Sequence, residues 1–169
     1  LLAMKAFPPT PQSIAYIWYA PDHVRSWRAS LYREIGGHDV DLDICDDQEL
    51  LHRTYIATTM HHIDKVLYVY RITGDNTWLE RSDSIQETTR NMFDKNIRSV
   101  VEKEADTLGL KKIDIGGGLN PYGDYETVDI RETADYVADL NDGIPLPDNS
   151  VYVLNAHHIL EHLKDPIKS

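Results

Sequence analysis

The stretch that most constrains this chain is Ile113-Asp114-Ile115-Gly116-Gly117-Gly118, followed by an apolar run closed by Asp129. A short apolar strand running straight into consecutive glycines makes a tight turn whose backbone N–H groups can approach a ligand closely. A carboxylate at the end of the following strand is placed to hold a ribose by its hydroxyls. The pattern beyond this point predicts strands at 111–115, 126–130, 136–138 and 151–155, then a helix start near 158–163. Strands that alternate with crossovers pack as a parallel sheet, so residues 110–169 read as an α/β segment.

Charge narrows the partners. The chain of 169 residues carries a net charge of −11, and residues 109–169 hold 5 basic and 11 acidic groups. No basic patch exists to meet a phosphate backbone, which argues against nucleic acid. The longest apolar runs fall far short of a membrane span. Cys45 is the single cysteine, so no internal disulfide forms, and a reducing, cytoplasmic setting is expected. The start Leu1-Leu2-Ala3 has neither an initiator Met nor a signal-peptide pattern, and it reads as a cut end.

Upstream, residues 1–12 contain Pro8, Pro9 and Pro11 and are expected to be loop. Ile14 to Tyr19 is β-prone. Ser30 to Ile35 predicts a short helix stopped by Gly36-Gly37. Asp46 to Thr58 predicts a helix burying Leu50, Leu51 and Ile56, and Ile63 to Ile72, rich in Val and Tyr, predicts a strand. Between 79 and 108, Ile85, Met92, Phe93, Ile97, Val100, Val101, Ala105 and Leu108 recur at helical spacing, with Gly109 as a stop. This predicts a long amphipathic helix over 79–109, serving as a linker between residues 1–78 and residues 110–169.

The ordered segments Lys-Lys-Ile-Asp-Ile-Gly-Gly-Gly-Leu-Asn-Pro, Thr-Val-Asp-Ile, Ala-Asp-Leu, Ile-Pro-Leu-Pro-Asp-Asn-Ser and His-His-Ile-Leu-Glu-His-Leu together resemble class I S-adenosylmethionine-dependent methyltransferases over residues 110–169. The resemblance implies the first part of a Rossmann-like parallel sheet. It puts Asp114, Gly116 and Gly118 at the turn facing the methionine part of S-adenosylmethionine. Asp129 would hold the ribose, with Ile130 against the adenine. Asp139 would accept from the adenine amino group, with Leu140 beside it. Asn155 to His157 would line the floor near the sulfonium. The family's third turn glycine is missing, and Asn120 stands near its place.

Two other chemistries touch the same residues. A dinucleotide site of a NAD-type oxidoreductase requires Gly-x-Gly-x-x-Gly at the turn, and Pro121 stands where the last glycine belongs. His158-Ile-Leu-Glu161-His162 fits the H-x-x-E-H zinc-peptidase pattern. On a helix its two histidines would share a face, but a long helix and a third ligand are also required. No metal ligand is assigned.

The segments His23-Val-Arg-Ser-Trp-Arg-Ala-Ser-Leu-Tyr-Arg-Glu-Ile-Gly-Gly, Asp46-Asp47-Gln-Glu-Leu-Leu-His-Arg and Leu67-Tyr-Val-Tyr-Arg-Ile resemble the C-terminal half of inverting family-2 glycosyltransferases with a GT-A fold, over residues 14–78. The resemblance makes Asp47 the catalytic base that deprotonates an acceptor hydroxyl. Asp46 replaces the family's Glu. At a helix N-terminus the dipole favours a carboxylate; the plainer role for Asp46 and Asp47 is to cap the helix. The family's Asp-x-Asp metal motif would lie upstream, and Asp41-Leu-Asp43 is out of place for it. A divalent metal and a sugar nucleotide are therefore expected only with that upstream half. His61 and His62 could assist a metal or a diphosphate but read first as ordinary strand-edge residues, and Arg71 could meet a diphosphate or be a common surface feature at a strand end.

The combined expectation is an α/β chain: a partial GT-A-like segment, a long linker helix and a partial Rossmann-like parallel sheet. It corresponds to a piece of a bifunctional glycan-modifying transferase, inactive by itself, acting on a sugar nucleotide donor, a glycan acceptor and S-adenosylmethionine. A non-catalytic sugar-binding or scaffold module would keep the same folds without turnover.

Overall fold

A computed structural model describes residues 6–16 and 20–165. The chain divides into two compact units, Leu1–Val100 and Val101–Ser169. The division falls within a long helix.

Among the described residues, the first unit is helical where it is regular. Helix α1 spans Pro11–Tyr16. Its start is fixed by local chemistry: Thr10 N–H donates to Ser13 Oγ at 2.9 Å, and Ser13 N–H returns the bond to Thr10 Oγ1 at 3.1 Å. This reciprocal cap, with a proline in the first helical position, favours helix over the strand expected from Ile14 onward. Pro11 and Gln12 are therefore helical rather than loop, and the end of the β-prone stretch, Ile17 to Tyr19, lies outside the described residues.

Helix α2 spans Ala29–Glu34 and α3 spans Asp46–Ala57. Gly36 and Gly37 end α2 in left-handed conformations, with φ of +86° and +67°. Gly37 N–H donates to Tyr32 C=O at 2.8 Å and Gly36 N–H to Arg33 C=O at 3.2 Å, the paired bonds of a Schellman stop. Leu50 and Leu51 are buried. Ile56, expected beside them, is exposed; Tyr55 and Thr54 take the inward positions instead. Helix α4 spans Thr77–Glu80 and α5 spans Ser82–Leu108. On α5, Ile85, Met92, Val100 and Ala105 are buried, whereas Leu108 at its end is exposed.

The strand expected at Ile63 to Ile72 does not form: these residues carry no regular structure, and Val66, Val69 and Ile72 are exposed. A strand needs a neighbouring strand to satisfy its N–H and C=O groups, and β-propensity alone supplies none.

The second unit holds a sheet of four parallel strands: β1 Lys111–Ile115, β2 Glu126–Asp129, β3 Tyr136–Val137 and β4 Val151–Ala156, in the order β3-β2-β1-β4. The class is α/β with a parallel sheet, as the strand pattern implies. Ile113, Ile115, Val128 and Leu140 form the buried centre, with Leu146, Val151 and Ile159 packed against it. Each such side chain contributes about 1.5–3 kcal/mol on leaving water. A short 3-10 turn, Leu160–His162, stands where the helix start was expected.

Candidate functional site

All four strands run in one direction, so the residues at their carboxyl ends share one edge of the sheet. Asp114, Thr127 and Asn155 occupy one row across β1, β2 and β4, since Asp114 is in register with both neighbours. Asp114 is buried; its Oδ1 accepts from Asn155 Nδ2 at 2.7 Å and its Oδ2 from Tyr122 N–H at 2.8 Å.

The glycine turn follows at once. Gly116 N–H donates to Val128 C=O at 2.9 Å. Gly116 has φ of +69°, and a Cβ there would stand 2.7 Å from the Ile159 side chain. Both the backbone angle and the close approach require glycine. A Cβ on Gly117 would stand 2.4 Å from Asp114 Oδ2. The turn leads into irregular backbone over 116–125 instead of a helix.

Asp129 ends β2 and is 8% exposed. Its Oδ2 accepts from Gly118 N–H at 3.1 Å, and its Oδ1 from Arg131 N–H at 3.0 Å. The structure thus brings Asp114, Asp129, the glycine turn and Asn155 together. Asp139 lies past β3 and is exposed; it accepts from Asn141 N–H at 2.9 Å and Asn141 Nδ2 at 2.7 Å, which holds its carboxyl below the usual range. Ile130 is 70% exposed beside Asp129. Leu140 is turned into the core. His157 is exposed at the end of β4, with its ring 4.3 Å from that of His158.

The zinc-type pattern is not assembled. His158 adopts a left-handed conformation, φ +54°, before the 3-10 turn, so His158 and His162 do not share a helix face. His158 Nδ1 instead lies 3.5 Å from Glu161 Oε1. Among the described residues no group of three or more metal-binding side chains comes together.

In the first unit, Asp47 stands in the first turn of α3. The N-cap is Cys45, left-handed at φ +60° and without a side-chain capping bond, so neither Asp46 nor Asp47 occupies the capping position. Burial pushes the Cys45 thiol pKa up, so it is not poised as a nucleophile. Asp47 Oδ2 is paired with Arg25 Nη1, while its Oδ1 accepts from Gln48 N–H at 2.8 Å. The Asp47 side chain remains 45% exposed and that of Arg25 is 11% exposed. Arg25 Nε also donates to Pro21 C=O at 2.7 Å. Nearby in the fold, Arg53 joins α3 to the Gly36-Gly37 turn by donating to Gly37 C=O at 2.6 Å, to Ile35 C=O and to Glu49 at 2.7 Å. An open hollow of about 480 Å³ borders this turn, with His38, Asp39, Glu49 and Arg53 in its wall. His61 and Arg71 are exposed and His62 is half-buried.

Arg25 and Arg131 are site neighbours that sequence reasoning did not single out. Arg25 precedes its partner by 22 residues, a separation with no local periodicity. Arg131 had one usable signal, its place two residues after Asp129. No protein-family model, curated protein or solved structure matches this chain.

Proposed function

We propose that the protein is a transferase whose second unit uses S-adenosylmethionine for methyl transfer and whose first unit serves glycosyl transfer from a sugar nucleotide. The observation that carries the methyl-transfer reading is the gathering of Asp114, Asp129, Asn155 and the glycine turn at the carboxyl edge of a β3-β2-β1-β4 parallel sheet. Open parallel sheets bind ligands at that edge.

The residues present suit the cofactor. Each Asp129 oxygen accepts one internal bond; a carboxylate has about four acceptor sites, which leaves room for ribose hydroxyls. The exposed Ile130 offers an apolar flank for the adenine. An acidic unit favours a sulfonium. When bound, the cofactor supplies an electrophilic methyl group. A dinucleotide fits less well, because its diphosphate favours a helix N-terminus and residues 116–125 form none.

For glycosyl transfer, Asp47 is the base. It is exposed enough to reach an acceptor hydroxyl, and Arg25 holds one of its oxygens in place. Two transfer activities in one chain suit a glycan that is both extended and methylated.

Titration calorimetry tests the cofactor reading. S-adenosylmethionine should bind the protein, and Asp129→Ala should weaken binding by about 1–3 kcal/mol, the scale of hydrogen bonds to a charged group. Equal affinity in both proteins would remove Asp129 from the site.

A further inference from the structure

Arg131 turns back over the glycine turn. Its Nη1 lies 3.6 Å and its Cζ 3.9 Å from where a Cβ on Gly118 would stand, ordinary contact distances that set the guanidinium beside the turn. Its own N–H is bonded to Asp129 Oδ1, which anchors the residue beside the ribose-holding carboxylate. Arg131 is exposed, and among the described residues its guanidinium makes no ion pair, although acidic groups outnumber basic ones in this part of the chain. In the same turn the N–H groups of Gly116 and Gly118 are used internally. Those of Gly117 and Leu119 make no hydrogen bond among the described residues.

An uncommitted guanidinium beside uncommitted backbone donors is a receptor for an anion, and its planar fork matches a carboxylate. We propose that Arg131 binds the α-carboxylate at the amino-acid end of S-adenosylmethionine. The assignment rests on the cofactor reading above and adds the group that distinguishes this ligand from other adenosine compounds. A carboxylate is favoured over a diphosphate because Asp114 and Asp129 stand at the same turn, and added negative charge there is repelled.

The experiment compares S-adenosylmethionine with its decarboxylated form, which keeps the adenosine, the sulfonium and the amine. The wild-type protein should bind the intact cofactor roughly 10- to 100-fold more tightly. Arg131→Gln should erase that preference and leave affinity for the decarboxylated form within about twofold. Arg131→Lys, which keeps the charge and loses the fork, should restore part of it. Retained binding of the decarboxylated compound shows that the variant is folded. Equal wild-type affinities, or an Arg131→Gln variant that weakens both ligands alike or tightens the intact one, would overturn the assignment. Failure of the wild-type protein to bind either compound would sink the cofactor reading, and this assignment with it. Preferential binding of NAD would assign the arginine to a diphosphate instead.

Discussion

Asp114 and Asn155 face each other across β1 and β4, and Asn155 Nδ2 donates to Asp114 Oδ1 at 2.7 Å. The second oxygen of the same buried carboxylate takes the N–H of Tyr122. One side chain therefore ties two strands to the loop that follows the glycine turn. A buried carboxylate is costly unless hydrogen-bonded, and here the bonds offset that cost.

Gly117→Ala tests this arrangement. The added methyl would stand 2.4 Å from Asp114 Oδ2, so either the carboxylate or the turn must move. Overpacking of this kind costs about 1–3 kcal/mol. Urea titration should show a lower midpoint for the variant, and an unchanged midpoint would contradict the close approach of turn and carboxylate.

Asp47→Asn separates catalysis from stability. Asn keeps only one of the two oxygens that serve Arg25 and the Gln48 N–H, so one of these bonds is lost. Because Asp47 is nearly half exposed, the loss of stability should stay near 1 kcal/mol, on the order of one exposed pair or hydrogen bond. Asn cannot accept the proton, and in the full-length enzyme sugar transfer should fall roughly 10²- to 10⁴-fold. Melting temperature and transfer rate measured on the same variant decide the matter. Near-normal turnover would remove Asp47 from the mechanism.

His52 makes the first unit sensitive to acid. It is 2% exposed, its Nε2 bonds Ile14 C=O at 2.8 Å, and Asn96 Nδ2 lies 3.4 Å from its Nδ1. Ile14 C=O can only accept, so the neutral ring carries its proton on Nε2 and presents Nδ1 to the amide. Burial lowers its pKa from 6.5, against smaller opposing effects of the Ile14 bond and of Glu49. The unfolded chain then binds a proton that the folded chain refuses. Stability contributed by neutral His52 is complete above pH 6.5 and is lost as pH falls below that value. Melting temperatures measured from pH 7.5 down to about 5 should decline, and His52→Gln should flatten the decline. Parallel curves for the two proteins would show that His52 does not carry the effect.

Local chemistry explains why much of this fold was legible. Gly36-Gly37 ends α2 because only glycine takes two successive left-handed angles at little cost. The strands of the second unit follow from short apolar runs between turn residues, and their order of appearance places Asp114, Asp129 and Asn155 at strand ends. Even the missed helix at Pro11–Tyr16 had its signal in Thr10, Pro11 and Ser13, which outweighed the β-preference of the residues after it.

Other features depended on partners distant in sequence. The β-rich stretch Ile63 to Ile72 has the composition of a strand, yet strand formation is a property of a pair, and no neighbour supplies its hydrogen bonds among the described residues. Ile56 and Leu50 are equally apolar, and only packing decides that Leu50 is enclosed and Ile56 is not. Arg25 meets Asp47, and Arg131 lies over Gly118, through chain reversals that leave no periodic mark. Residue types and short spacings set backbone turns, caps and strand ends because those are local free energies; which side chain shields, bonds or charges another was decided only once the folded chain brought them within a few ångströms.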